Sequence, residues 1–218
     1  MWRKQFAAVF LDMDGTLLDS GNHAEQVWIQ WAQRHGIDNA LLGAQIHSQR
    51  VQEIVRRLAP HLETQQELEA LEQALLEMTQ RHHSQLQQGV FELLQALGET
   101  PWGVVTQSSR SRAAVQMQQA GMPQPPLMIG AEQVTSGRPD PEPYLLAASY
   151  YGVDPRDCLV FESDEAGIKA AQAAGMTVIA ITNRHQRHHL QRADVVISGW
   201  RSIILHPQRQ GIVIEVVA

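Results

Sequence analysis

The stretch Phe10-Leu11-Asp12-Met13-Asp14-Gly15-Thr16-Leu17-Leu18-Asp19-Ser20 decides how this chain is read. A short apolar run, Ala7–Leu11, ends in two carboxylates two residues apart, and Gly15-Thr16 follows. Side chains at i and i+2 of an extended chain point the same way, so Asp12 and Asp14 are expected to face one site. Like charges that close raise the proton affinity of at least one of them. That suits a nucleophile standing beside a proton donor. On these residues alone, an acidic turn with Asp14-Gly15 as its bend is an equal reading.

Further apolar runs recur at Trp102–Val105, Leu127–Ile129, Cys158–Phe161, Thr177–Ile181 and Val195–Ile197. Continuous runs without polar alternation read as strands buried on both faces of a parallel sheet. Helix-like segments separate them: Ser109–Ala120, Pro141–Tyr151 and Glu165–Ala174. The alternation predicts an α/β class, a Rossmann-like doubly wound parallel sheet with right-handed crossovers. Ligands of such sheets sit at the carboxyl ends of the strands, here Asp12, Thr106, Glu162 and Thr182.

Residues 20–87 break the alternation. Trp28, Trp31, Ala32 and His35 fall at i, i+3, i+4 and i+7, as do Val51, Ile54, Val55 and Leu58. Leu68, Leu71, Leu75 and Met78 form a third helical stripe. The expected organisation is an α-helical cap, 20–87, inserted into a core of 1–19 and 88–218. The tryptophan pair reads as packing within that cap. Residues 211–217 read as a terminal edge strand after a turn at 207–211.

Composition narrows the function. The 218 residues carry 17 basic and 23 acidic side chains, a net charge of -6. That balance speaks against nucleic acid, which requires a basic face. No apolar run approaches the roughly 20 residues that span a bilayer, and the N-terminus lacks a signal-peptide pattern. The single cysteine, Cys158, fits a reducing compartment and reads as an inert core thiol. A cytoplasmic location is expected. Of the 17 cations, only Lys4 and Lys169 are lysines and 15 are arginines.

The opening stretch resembles motif I of the haloacid-dehalogenase-like superfamily, and the other motifs follow in order. Val104-Val105-Thr106-Gln107-Ser108-Ser109 resembles motif II, and Ser136-Gly137-Arg138-Pro139-Asp140-Pro141 resembles motif III. Val160-Phe161-Glu162-Ser163-Asp164-Glu165-Ala166-Gly167 resembles motif IV. Within the superfamily, residues 27–38 and 46–50 resemble sugar-phosphate and glycerol-phosphate phosphatases. The resemblance implies a Mg²⁺-dependent phosphomonoester hydrolase. Asp12 is its implied nucleophile, forming an aspartyl-phosphate, and Asp14 its acid and base. Thr106, with Ser108 or Ser109 at a helix N-terminus, is implied to bind phosphate. Arg138 is implied to steady nucleophile and phosphate, and His47 and Arg50 of the cap to meet the substrate's polar end. Mg²⁺ is implied to bridge Asp12, the Asp14 carbonyl and the phosphate. The implied partner is a small phosphorylated metabolite, with no obligate protein partner.

Two departures stand out. Motif III normally carries lysine where Arg138 stands; arginine keeps the charge in a bulkier planar fork. Relatives usually read Glu-Asp-small at motif IV, whereas this chain reads Glu162-Ser163-Asp164. Serine is a poor ligand for a hard cation, and in a regular strand Asp164 points away from position 163. Either Asp164 or Glu162 is then expected to complete the metal site, with reduced affinity. His185, His188 and His189, at helical spacing, read as a solvated surface cluster. Two rivals share the motifs: a phosphoglucomutase-like phosphoryl transfer, and a non-catalytic phosphosugar-binding module with a degraded metal site.

Overall fold

Apolar runs too short to be helices become the strands of a parallel sheet. The computed structural model describes residues 2–47, 49–182 and 190–217. In chain order the strands are β1 (Trp2–Phe6), β2 (Ala8–Leu11), β3 (Leu18–Asp19), β4 (Gln85–Leu86), β5 (Trp102–Val105), β6 (Met128–Ile129), β7 (Cys158–Glu162), β8 (Thr177–Ile181), β9 (Val195–Ile197), β10 (Ile203–Pro207) and β11 (Ile212–Val216). The α-helices are α1 (His23–Arg34), α2 (Val51–Leu58), α3 (Gln65–Arg81), α4 (Val90–Leu97), α5 (Arg110–Gln119), α6 (Glu142–Tyr151) and α7 (Glu165–Ala173). Six strands pair in the order β6-β5-β2-β7-β8-β9, every pair parallel. This is the doubly wound sheet expected from the alternation. Strands β2, β5, β7 and β8 are buried at every position, which is why they lack polar alternation.

Each face of the sheet has its own core. Val9, Leu11, Val104 and Phe161 pack on one side with Leu93, Leu97 and Met117 of α4 and α5. Phe10, Val105 and Val160 pack on the other with Tyr144, Ala147, Ile168 and Ala171 of α6 and α7. Cys158 lies in the second core, where burial pushes its thiol up to about 12, an inert group as its position implied.

Helices α1, α2 and α3 share a third core built from the predicted stripes. Trp28 and Trp31 meet edge to face, centroids 5.7 Å apart, and Trp31 Nε1 donates to Glu67 Oε1 at 2.8 Å. The chain enters and leaves these helices side by side, where β3 and β4 pair and the rings of His23 and His82 stack 3.7 Å apart.

The terminal strand differs from expectation. β11 lies at the centre of a separate antiparallel sheet ordered β1-β11-β10, not at an edge. Its partner β1 is silent in the sequence because Arg3, Lys4 and Gln5 are exposed and only Phe6 is buried, too little contrast to register. Among the described residues, no helix is long and apolar enough to cross a membrane. The histidine cluster at 185, 188 and 189 lies outside the described residues.

Candidate active site

Parallel strands deliver their carboxyl ends to one edge, and β2, β5 and β7 end there in Asp12, Thr106 and Ser163. After β2 the chain must turn sharply without losing Asp14 from the edge. Gly15 makes that turn at φ 81°, a conformation that side chains disfavour, and its N–H bonds Leu18 O at 2.8 Å. Opposite this edge stand α1 and α3, and between them lies a cavity of about 1030 Å³. Its wall includes Asp12, Asp14, Thr106, Ser108, Arg138, Ser163, Asp164 and, from the cap side, His47.

Asp12 is 4% exposed and has a close donor on each oxygen. Arg138 Nη1 donates to its Oδ1 at 2.8 Å, and Thr16 Oγ1 donates to its Oδ2 at 2.8 Å. Burial lifts the Asp12 carboxyl to about 6; Arg138 opposes that rise and Asp164 adds to it. Asp14 accepts from Gln116 Nε2 at 3.0 Å, from Ser108 Oγ at 3.4 Å and, through a short bond, from Ser20 Oγ. Thr106 is buried, and its Oγ1 accepts from the N–H of Ser108 at 3.1 Å.

Arg138 is 2% exposed and sits among three carboxylates. Its Nη1 lies 2.8 Å from Asp12, 3.0 Å from Glu162 and 3.5 Å from Asp164. Its Nη2 donates to Val105 O at 2.6 Å, and the Tyr144 ring lies 5.6 Å from its Cζ. Burial works against the guanidinium charge, but Glu162, Asp12 and Asp164 outweigh it and hold the group well above its usual range. The planar fork thus spans the Val105 carbonyl and Asp12 at once, which a point charge cannot do.

Three residues stand elsewhere than expected. Glu162 is completely buried and absent from the cavity wall, so it is not placed to hold a metal. Its carboxylate accepts from Tyr144 Oη at 2.5 Å and from the Ser163 N–H at 3.0 Å. Helix α7 packs so tightly over it that a Cβ on Gly167 would collide with the Glu162 carboxylate. Ser109 precedes α5, but its hydroxyl faces Ser111 and only Ser108 reaches the cavity. Arg50 is 6% exposed, and its guanidinium is spent before any substrate arrives. It donates to Glu53 Oε1, to Ala131 O and Val134 O, and to Thr135 O. It fastens α2 to the core loop, with Glu53 accepting from the Gly137 N–H at 2.8 Å.

Of the three motif IV residues, Ser163 stands between Asp12 and the Asp14 carbonyl. Its Oγ lies 3.4 Å from Asp12 Oδ2 and 3.2 Å from the Asp14 carbonyl oxygen. Asp164 is claimed instead as the N-cap of α7, its Oδ1 accepting from the N–H groups of Ala166 and Gly167 at 2.7 and 3.1 Å. Among the described residues no three His, Cys, Asp or Glu side chains converge as a metal cluster. The carboxylates converge on Arg138. What meets at Ser163 is an all-oxygen set of one carboxylate, one carbonyl and one hydroxyl. Such a set fits a magnesium-like cation that leaves most positions to water and a substrate phosphate.

Gln116 and Arg112 also line the cavity, and no motif announces them. Arg112 and Gln116 stand four residues apart on one face of α5, and Ser108, just ahead of the helix, continues the spacing. That spacing is the one signal the sequence offers for them. Arg112 Nη2 donates to Ser108 Oγ at 2.9 Å and Nη1 faces Glu72 of α3 at 3.8 Å.

Comparison with known proteins agrees with this geometry. Residues 6–175 match the family model of haloacid dehalogenase-like hydrolases. Hexitol phosphatase A of Escherichia coli is 33% identical over 206 residues, covering 93% of this chain and 95% of that protein. N-acetylmuramic acid 6-phosphate phosphatase of Pseudomonas aeruginosa is 31% identical, covering 94% and 96%. Among solved structures, β-phosphoglucomutase of Clostridium difficile shares the fold with a TM-score of 0.74 at 19% identity, covering 89% of this chain and 92% of that one. With four ordered motifs gathered at one sheet edge and a family match across most of its length, this chain belongs to the haloacid dehalogenase-like hydrolases.

Proposed function

We propose that this protein is a phosphomonoesterase acting on sugar or polyol phosphates through an aspartyl-phosphate intermediate. The observation that carries this reading is Asp12, buried at the floor of the cavity with one oxygen held by Arg138 and the other by Thr16. The named activities of the Escherichia coli and Pseudomonas aeruginosa relatives give the substrate class.

In the proposed reaction an Asp12 oxygen attacks phosphorus, and the bond from phosphorus to the ester oxygen breaks. Asp14 gives its proton to the departing oxygen, then takes one from the water that cleaves the aspartyl-phosphate. Thr106 and Ser108 bind the phosphoryl oxygens, and Arg138 stabilises the charge that grows on them. Asp12, the Asp14 carbonyl and Ser163 would hold Mg²⁺, with Asp164 close by. When bound, the ion supplies charge neutralisation between nucleophile and phosphate. Residues 20–87 serve as the cap that excludes bulk water and admits the leaving group, with His47 on its wall.

Phosphate release from a panel of hexitol, hexose and glycerol phosphates, with Mg²⁺ and with chelator, tests the reading. Stoichiometric inorganic phosphate with Mg²⁺ is expected. Transfer of the phosphoryl group to a second sugar hydroxyl would identify a mutase, and binding without release a non-catalytic module.

The neutral Ser163 makes a further expectation. Ser163→Asp puts a second carboxylate beside Asp12 Oδ2 and the Asp14 carbonyl. Calorimetric titration is expected to show Mg²⁺ binding about tenfold tighter than in the wild type, because a charged oxygen replaces a neutral one at the ion. The variant's Tm in chelator is expected to fall and to recover when Mg²⁺ is added. Unchanged Mg²⁺ affinity would remove Ser163 from the metal site.

A further inference from the structure

The cap is tied to the core at the loop that leads into Arg138. Residues 134–137 belong to no helix or strand, so their main-chain groups need partners from side chains. Helix α6 supplies one, Glu142, which accepts from the N–H groups of Thr135 and Ser136 at 2.8 and 2.7 Å. The cap supplies two. Arg50 Nη1 donates to Ala131 O at 3.2 Å and to Val134 O at 2.7 Å, and Nη2 donates to Thr135 O at 2.7 Å. Glu53 Oε1 accepts from the Gly137 N–H and from Arg50 Nη2, each at 2.8 Å.

Both ends of this loop enter the active site. At its start the Ala131 N–H donates to Ser108 O at 3.0 Å. At its end stands Arg138, whose fork must meet Asp12 Oδ1 and Val105 O together. The cap pair seats directly on the residue before it. A Cβ on Gly137 would lie 2.8 Å from both Arg50 Nε and Glu53 Oε1, so only a glycine leaves room for them. Neither Arg50 nor Glu53 belongs to the described cavity wall, so neither is placed to touch substrate. A guanidinium held at two ends tolerates little displacement of the main chain that carries it.

We infer that Arg50 and Glu53 are positioning residues: through them the cap holds residues 131–137 and so sets Arg138 against Asp12. This role rests on the phosphomonoesterase reading above. It gives the cap a part in assembling the site besides covering it.

A mutant cycle of Glu53→Ala and Arg138→Lys, followed by phosphate release, tests the role. Glu53→Ala is expected to lower kcat about tenfold, the scale on which a small displacement of a charged group is felt. KM should stay within about threefold, because an interaction outside the substrate contacts is lost. Glu53→Gln keeps an acceptor for the Gly137 N–H and should recover most of the loss. In Arg138→Lys protein, Glu53→Ala should cost at most about twofold more, since a point charge on a flexible stem tolerates a shifted loop better than a fork does. Losses that simply multiply would mark Glu53 as a residue that only stabilises the fold and overturn the inference. An unchanged kcat, or a change confined to KM, overturns it too. If Glu53→Ala does not fold, Glu53→Asp, which withdraws the carboxylate by one methylene, takes its place.

The Arg138 Nε–H is buried without a hydrogen-bond partner among the described residues. Its NMR resonance, assigned by its loss in Arg138→Lys, reports that side chain without turnover. The resonance is expected to shift in Glu53→Ala and to return in Glu53→Gln; one that does not move overturns the inference. A shifted resonance in a wild-type background that releases no phosphate would sink the phosphomonoesterase reading and leave the cap's hold on Arg138 standing.

Discussion

Asp12→Asn is expected to lower kcat by about 10⁴-fold or more, the scale on which loss of a covalent nucleophile is felt. Asparagine keeps the shape and an acceptor oxygen for Arg138, and the Thr16 hydroxyl can turn to accept from the amide nitrogen, so the cavity should survive. Phosphate release by the purified variant is the measurement, and acid-quenched wild type should carry label from a radioactive phosphoester where the variant carries none. Near-wild-type turnover without deamidation would remove Asp12 as the nucleophile.

The same substitution is expected to stabilise the metal-free fold. The folded-state carboxyl stands at about 6 against an ordinary 3.8, raised first by burial. With a raised folded value, the unfolded chain binds fewer protons between those two points. Metal-free stability therefore falls as pH rises from about 4 to about 6 and stays low above that. A carboxyl raised that far costs about 2–3 kcal/mol once it is ionised, which the neutral asparagine avoids. Thermal melts in chelator should show the variant above wild type at pH 8, with the gap closing toward pH 4. A variant equal to or below wild type at pH 8 would contradict this account of Asp12.

Arg138→Met is expected to damage both fold and activity. The guanidinium is the shared partner of Asp12, Glu162 and Asp164, and its removal leaves buried carboxylates without their cation. Breaking a buried charge group in this way typically costs about 3–5 kcal/mol. Phosphate turnover should fall by about 10³-fold, as when a preorganised charge on the transferring group is lost. Urea unfolding and phosphate release check the two effects. Arg138→Lys supplies the rescue. A lysine keeps the charge beside Asp12 and Glu162 but gives up either that contact or the bond to Val105 O, so it should fold and keep activity within about tenfold. A lysine variant as inactive as the methionine variant would show that fork geometry, not charge, is what the site uses.

The fold and the site are legible in the sequence to different depths. Runs of three to five apolar residues between helical stripes are local properties, and they mark every strand of the large sheet to within one residue. β1 lacks that contrast, and β11 reads as an edge because a strand's neighbours are not written in its own periodicity. Asp12, Asp14, Thr106 and Arg138 come together because each lies just beyond a strand or in the loop that crosses the same edge. Arg50 reads wrongly as a substrate contact because a cation beside a cavity and a cation tying two elements together look alike in sequence. Its donors are claimed by Glu53 and by carbonyls at 131, 134 and 135, more than eighty residues away. Gln116 carries only a helical spacing, and the meaning of that spacing depends on Asp14, about a hundred residues earlier.

By itself the sequence determined the parallel sheet, the helical insertion and the paired carboxylates after the first buried strand, because run length, period and i, i+2 spacing are decided within a few residues. Only the tertiary structure decided which of Glu162, Ser163 and Asp164 faces Asp12. The physical reason is competition at the strand-to-helix turn. The first N–H groups of α7 need an acceptor and take Asp164, while Arg138 and Tyr144 draw Glu162 beneath the sheet edge. The hydroxyl of Ser163 is left facing Asp12.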